Sequence, residues 1–494
     1  MTYRRLLKEN ADFRRLWTGQ VVSEIGDWLN NIAVLALAIQ FAGDRRVGLA
    51  VAAYAIARHL PLFIFGPVAG VVVDRVNRRR VMIAADLARA ALALGFMLAS
   101  RLSSLAVIYV VGASLFSVSS FFNAAKRASI PNLVRSTEEL LAANSISAST
   151  TAATIAVGSA LGGVVATALG RDTVFVLNAL TFVASAEMIR RIRARTSREA
   201  LTGRRGDAEA ARLTDRQGDA ETARLEDAAS RAEEASRLHA ASLSPGLPVP
   251  PSPRLEISPS SRSPISWSPL RRVASDFREG LRYVRRDRVL AAVFVVAGGW
   301  GLGNGAARAL YSIFGARLGE QAVKSWGAGL RAVVERPTDF GISVLFVAMG
   351  LGGVLGAPLA RRFNRGATEG LGSRMGRSLV LDGCGLALFS FMPSLWGAAL
   401  VLVAREMNFA IWWTAQQTLL MKRTEDRMAG RVFASYETLT TLTMVGSILV
   451  CGEVADHLGI RPVAAGGGTV VILSGLLWFF LRWRGRAPVA DAIN

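Results

Sequence analysis

The stretch Gly70-Val-Val-Val-Asp74-Arg75-Val76-Asn77-Arg78-Arg79-Arg80 joins two long apolar runs, residues 48–73 and 80–100. Each run is near the ~20 residues that carry a helix across a ~30 Å hydrocarbon core. The residues between them have separate physical uses. Gly70 lets a second helix approach closely near the membrane face. Asp74 sets a carboxylate at the end of the first run. Asn77 stands where a tight turn would call for positive φ, which Asn tolerates better than other residues with a side chain. The arginines that follow anchor the next helix at the headgroups.

Outward from this joint the same alternation continues along all 494 residues, half of them hydrophobic. Apolar runs cover residues 16–41, 48–73, 80–100, 103–125, 141–168, 172–190, 289–313, 339–360, 378–394, 396–420, 431–454 and 460–482, the ninth being short. In lipid every backbone N–H and C=O must be satisfied within the segment, so a span is a helix or part of a closed barrel. These runs are continuously apolar and rich in Leu, Ala and Gly, unlike the alternating ten-residue strands of a barrel. Twelve transmembrane helices are expected. Met1–Asn10 is polar and the first run is too long for a signal-peptide core, so no cleavable signal is expected.

The net charge of +21 follows the same frame. Arg4, Arg5, Lys8, Arg14 and Arg15 precede span one, and Arg75, Arg78, Arg79 and Arg80 separate spans two and three. Lys126, Arg127 and Arg135 follow span four, Arg361, Arg362, Arg365, Arg374 and Arg377 follow span eight, and Lys422, Arg423, Arg427 and Arg431 follow span ten. All fall on one side if both termini are cytoplasmic, which is the positive-inside pattern. The basic excess therefore orients a multi-pass protein of a bacterial inner membrane, and no nucleic-acid partner is expected. Cys384 and Cys451 fall inside spans and read as small packing residues.

Residues 1–190 hold six spans and residues 289–494 six more. Between them, 191–270 is a different material. Gly206-Asp-Ala-Glu-Ala-Ala-Arg-Leu213 is echoed by Gly218-Asp-Ala-Glu-Thr-Ala-Arg-Leu225, and a Pro/Ser stretch runs from Ser242 to Pro269. Such composition buries too little apolar surface to order itself, and a disordered cytoplasmic linker is expected. Over 271–288, Val273, Phe277, Leu281 and Val284 recur at helical spacing among arginines. Two readings stand here: an amphipathic helix on the inner leaflet, or a cytoplasmic extension of span seven. The halves also echo one another, Gly66-Pro-Val-Ala-Gly against Gly353-Val-Leu-Gly-Ala-Pro at the ends of spans two and eight.

Gly70, Asp74, Arg75 and Arg78 resemble the loop motif G-x-x-x-D-R-x-G-R-R between helices two and three of the major facilitator superfamily, with Asn77 in place of Gly. In the second half Arg361 stands where Asp74 would be. Phe13-Arg-Arg-Leu-Trp-Thr-Gly-Gln with Asp27-Trp, Ala85-Asp86-Leu-Ala-Arg89, Ala128-Ser-Ile-Pro131, Phe277-Arg-Glu-Gly and Gly430-Arg-Val-Phe433 are similar to its macrolide-efflux and enterobactin-exporter-like branch. The resemblance implies an all-α major facilitator fold of two six-helix halves, with helices one, four, seven and ten around a central cavity. Val157-Gly158-Ser159-Ala160-Leu161-Gly162-Gly163 is similar to the helix-five motif of the superfamily's antiporters, with Ser159 in place of proline. It favours export.

An ionisable residue deep in a span is costly and a functional candidate by default. At ~1.5 Å per residue Asp27 lies about 16 Å into span one, and Arg405 and Glu406 lie near the middle of span ten. Asp27 is expected to face Arg405 across the cavity, with Asp27 and Glu406 as proton carriers. The alternative is that Arg405 simply neutralises a buried acid. Asn30, Asn31, Trp300, Asn304, Tyr311, Arg405, Asn408, Trp412 and Trp413 lie on cavity helices, and amide and aromatic groups suit an amphipathic ligand. Trp412 and Trp413 diverge by ~100°, so only one can face a cavity. Glu437 belongs with Asp74 at a cytoplasmic gate. Asp382 and Glu187 read as peripheral, and Arg308 as snorkelling at the outer end of span seven. His59 and His457 read as near span ends.

No Walker lysine, catalytic triad or metal cluster is present in the sequence, so neither an enzyme nor a cofactor is expected. Gly298-Gly-Trp-Gly-Leu-Gly-Asn-Gly305 serves close helix contact or a bend. The expected function is proton-coupled export of a small amphipathic molecule by a monomer whose partners are substrate, protons and bilayer. Uptake or lipid flipping on the same scaffold, and a non-transporting sensor or assembly role, are the alternatives.

Overall fold

A computed structural model describes residues 3–43, 46–134, 136–193, 268–364 and 370–483, and among them every regular element is a helix. Twelve long helices coincide with the twelve apolar runs: α1 Ala11–Ala42, α2 Val47–Arg75, α3 Arg78–Leu102, α4 Leu105–Leu133, α5 Thr137–Leu169, α6 Arg171–Arg190, α7 Arg288–Lys324, α8 Pro337–Asn364, α9 Leu371–Phe391, α10 Leu395–Arg423, α11 Asp426–Leu458 and α12 Ile460–Trp483. Eleven are long and apolar enough to cross a membrane. The remaining one, α9, carries Arg374, Arg377 and Asp382 within 21 residues. The linker expected over 191–270 falls almost wholly outside the described residues.

The polar residues between runs start the helices. Asn10, Ser104, Ser136, Asp287 and Ser394 accept hydrogen bonds from first-turn N–H groups of α1, α4, α5, α7 and α10. Asn77 does the same for α3, accepting from the N–H of Arg79 and Arg80, with φ at −62°. The turn therefore needs no positive φ, and Asn serves as a cap where the expectation was a left-handed turn.

Packing repeats with a period of six helices. In the first half α1 packs on α5 and α6, α3 on α4 and α6, and α2 on α4. In the second half α7 packs on α11 and α12, α9 on α10 and α12, and α8 on α10. The halves meet chiefly through α5 against α8 and α2 against α11, two seams that exchange under the same numbering shift. This is the plan of parallel six-helix repeats.

Glycines set the close seams. The Gly298–Gly305 stretch divides its work: a Cβ on Gly301 or Gly305 would run into α11, 3.2 Å from Thr440 O and 2.5 Å from Met444 O, while one on Gly303 would stand 2.5 Å from Gly467 O of α12. Helix α7 is continuous through all of them. The close contact expected of this stretch is made, on two faces of the helix.

The expected amphipathic segment is a separate helix, Ser268–Val284, broken from α7 by a turn that ends at Asp287. It is not an extension of span seven. It docks on the start of α11, where Glu279 pairs with Arg431 at 2.9 Å and Ser435 Oγ donates to Phe277 O at 3.3 Å.

Candidate functional site: two arginine–carboxylate clusters

Two clusters of charge, one per half, lie inside the helical bundle. In the first, Arg89 of α3 donates to Asp86 and stands 3.9 Å from Asp27 of α1. Its guanidinium lies over the rings of Phe122 and Phe182, at 4.1 and 4.4 Å, which seats the cation without a further counter-charge. Asp86 is fully buried, whereas the Asp27 side chain keeps 23% of its surface. Asp27 is thus the more exposed of the two acids.

In the second half Arg405 of α10 is held between Asp382 of α9, at 3.1 Å, and Glu406, at 3.5 Å. It also donates to Tyr311 OH and Asn304 Oδ1 of α7, and Asn304 in turn donates to Asp382 at 3.1 Å. Asp382 is 2% exposed and Glu406 11%. The pattern of the first half recurs: one arginine, one sealed acid and one less buried acid.

Within these two clusters each charge finds its counter-charge in its own half, so the expected pairing of Asp27 with Arg405 is replaced by Asp27–Arg89 and Asp382–Arg405. Asp382 is central rather than peripheral, because a guanidinium buried to this degree needs a carboxylate in contact. Glu187 lies where expected, at a helix end beside Arg190 and Arg191. His59 sits well inside α2, bonded to Ala55 O, and not near a span end.

Asn31 accepts from Arg58 at 2.5 Å, Asn408 donates to Ser378 O at 2.7 Å, and Asn30 is buried with no partner for its Oδ1 among the described residues. Trp300 and Trp412 stack on each other at 4.8 Å and are 6% and 1% exposed. They form the core of the α7–α10 contact instead of lining open space. Trp413 diverges as expected and is 39% exposed.

The halves close on the face opposite the termini. Arg171 at the start of α6 binds Asp339 of α8 at 2.8 Å and Gln40 of α1 at 2.5 Å. Arg336 donates to Ala166 O, one of the last carbonyls of α5, at 2.5 Å. Asp456 of α11 accepts from the N–H groups of Gly48 and Leu49, at 2.7 and 2.9 Å, where α2 has no capping side chain of its own. Charges of the favourable sign thus cap helix ends across the two halves.

On the terminus side the motif residues Asp74, Arg75 and Glu437 are exposed, and nothing lies within 4 Å of a Cβ built on Gly70. Arg78 is buried and donates to Ala128 O at 2.7 Å, tying α3 to α4. The close approach expected at Gly70 is not made, because the halves are parted at this end. A groove of about 600 Å³ between α5, α8 and α10, walled by residues such as Val164, Val347 and Leu400, is apolar and separate from both clusters.

The helix-five glycines sort by face. A Cβ on Gly158 would stand 2.7 Å from Ile25 O, and one on Gly162 2.9 Å from Leu29 O, both on α1; Gly163 faces Ser343 of α8 across the halves. Gly162→Leu is therefore expected to overpack a backbone contact and cost about 1–3 kcal/mol or more. Gly66→Leu, where nothing lies within 4 Å, should not. Monodisperse yield in size-exclusion chromatography compares the two.

The sequence profile of the Major Facilitator Superfamily matches residues 16–447. The chain is 30% identical over 186 residues, 37% of its length and 43% of theirs, to YfiS of Bacillus subtilis (strain 168), named an uncharacterized MFS-type transporter. It is 29% identical over 191 residues to the protein of that strain named Putative bacilysin exporter BacE, covering 38% of this chain and 45% of that one. The matches thus span under half the length of these curated relatives. Among solved structures, a mutant of the nucleoside transporter NupG superposes with a TM-score of 0.59 at 9% identity, over 94% of this chain and 99% of that one. A bacterial homologue of the iron transporter ferroportin in an inward-facing state does so with 0.59 at 13%, over 95% and 98%. At such identities the likeness is one of fold.

Proposed function

Because this chain belongs to the Major Facilitator Superfamily, we propose that it is a secondary active transporter that exports a small amphipathic molecule in exchange for protons. The observation that carries this reading is the paired clusters, each holding one sealed and one less buried carboxylate against an arginine. In this reading the sealed acid fixes the arginine, while Asp27 and Glu406, the less buried acids, exchange protons. Proton uptake shifts the balance between states open to either face only where the two states differ in proton affinity. Both termini lie in the cytoplasm of a bacterial inner membrane in this reading, and the parted face is the cytoplasmic one. The glycine seam of α5 on α1 supports export, as does the named relative BacE.

Asp27→Asn and Glu406→Gln test the coupling in everted vesicles with an imposed pH gradient. Each variant is expected to lose gradient-driven transport rate by about a hundredfold or more, the scale of a lost proton-transfer group. Full gradient-driven transport in both sinks the proton role.

A further inference from the structure

Two more arginines stand between the halves without a carboxylate in contact. Arg58 of α2 lies over Trp28 and Phe116, at 4.8 and 4.9 Å, and donates to Asn31 at 2.5 Å. Arg308 of α7 is exposed, on the helix face that it shares with Asn304 and Tyr311. Among the described residues neither has an acidic oxygen within 4.0 Å. The two approach one region from opposite halves: His59 lies within electrostatic reach of both, α2 touches α7, and Trp28 beneath Arg58 meets Phe346 of α8 at 6.0 Å. Arg58 lies within electrostatic reach of Asp27, and Arg308 of Glu406. Arg308 thus lies towards the C-terminal cluster.

A guanidinium held among membrane helices away from any carboxylate is costly, and its planar fork matches a carboxylate through two parallel hydrogen bonds. We infer that Arg58 and Arg308 seat an anionic group of the transported molecule, a carboxylate, between the two halves. The inference deepens the export reading and rests on it. The substrate class is then an amphiphile that carries a carboxylate, with its apolar body against the neighbouring aromatic rings.

The test is equilibrium binding to the purified full chain in detergent, with no gradient applied, so that a failure of proton coupling leaves the readout intact. The probe is Nε-dansyl-lysine, a fluorescent zwitterion with an apolar body, compared with its methyl ester, which keeps only the cation. The zwitterion is expected to bind about tenfold more tightly than the ester, the scale of one charge-assisted hydrogen-bonded contact. Arg58→Gln and Arg308→Gln should each erase that preference while leaving ester binding in place, which also reports that the variants are folded. Arg308→Lys should retain part of it. No preference for the zwitterion in the unaltered chain, or a preference that survives both glutamine variants, overturns the inference.

Discussion

Arg405→Leu is expected to destabilise the folded protein by about 3–5 kcal/mol, because it leaves buried carboxylates without their counter-charge. Asp382 is 2% exposed and bonded to Arg405 and Asn304, so once the arginine is gone its charge has no solvent to turn to. The loss should appear as a lower thermal midpoint and a collapsed yield. The double variant Arg405→Leu with Asp382→Asn removes the more deeply buried pair of charges and should recover part of the loss, with Glu406 left without its arginine. A double variant no more stable than the single would show that Arg405 is held by its bonds to Tyr311 and Asn304 and not by the ion pair.

Asp339→Ala is expected to open the face opposite the termini. Asp339 is fully buried, sits in the first turn of α8 and binds Arg171 across the halves. The contact exists only while that face is closed, so removing it penalises one state alone. A penalty of about 3 kcal/mol changes a two-state ratio by roughly two orders of magnitude. Ser343, 5% exposed beneath the latch and facing Gly163, is the reporter. In a chain with Cys384 and Cys451 replaced, Ser343→Cys should be protected from a membrane-impermeant maleimide and become labelled when Asp339→Ala is added. Unchanged protection would mean that the glycine seam alone keeps the face shut. Asp456→Ala should act in the same direction but more weakly, by about 1 kcal/mol, as the loss of a helix cap.

Much of this fold was legible because apolar run length is a direct consequence of bilayer thickness, and all twelve helices coincide with the runs. The ninth run reads short for a physical reason: Arg374 and Arg377 stand within the first turns of its helix, ahead of the run, and Asp382 inside it is the core of an ion pair. The glycines of α5 and α7 were legible as contact residues, although which neighbour each one meets was not. Charge partners were the main failure. Periodicity places a residue on a helix face but does not name the helix across from it, so Asp27 was matched with Arg405 when Arg89 stood closer. The signal for Arg89 was present, an Asp86–Arg89 pair at i, i+3 inside an apolar run. The same rule of costly intramembrane charge picks out Arg58. Aromatic residues such as Trp300 and Trp412 suit both a cavity and a core, and only packing separates the two.

Exchange of protons for an amphipathic molecule is the activity proposed for this protein. Its most direct test is accumulation of a panel of fluorescent amphipaths and siderophores by everted vesicles containing the protein, with and without a protonophore. Accumulation of at least one class that collapses on adding the protonophore is the predicted result. Accumulation that the protonophore leaves unchanged, or net movement only in the opposite direction, would contradict proton-driven export.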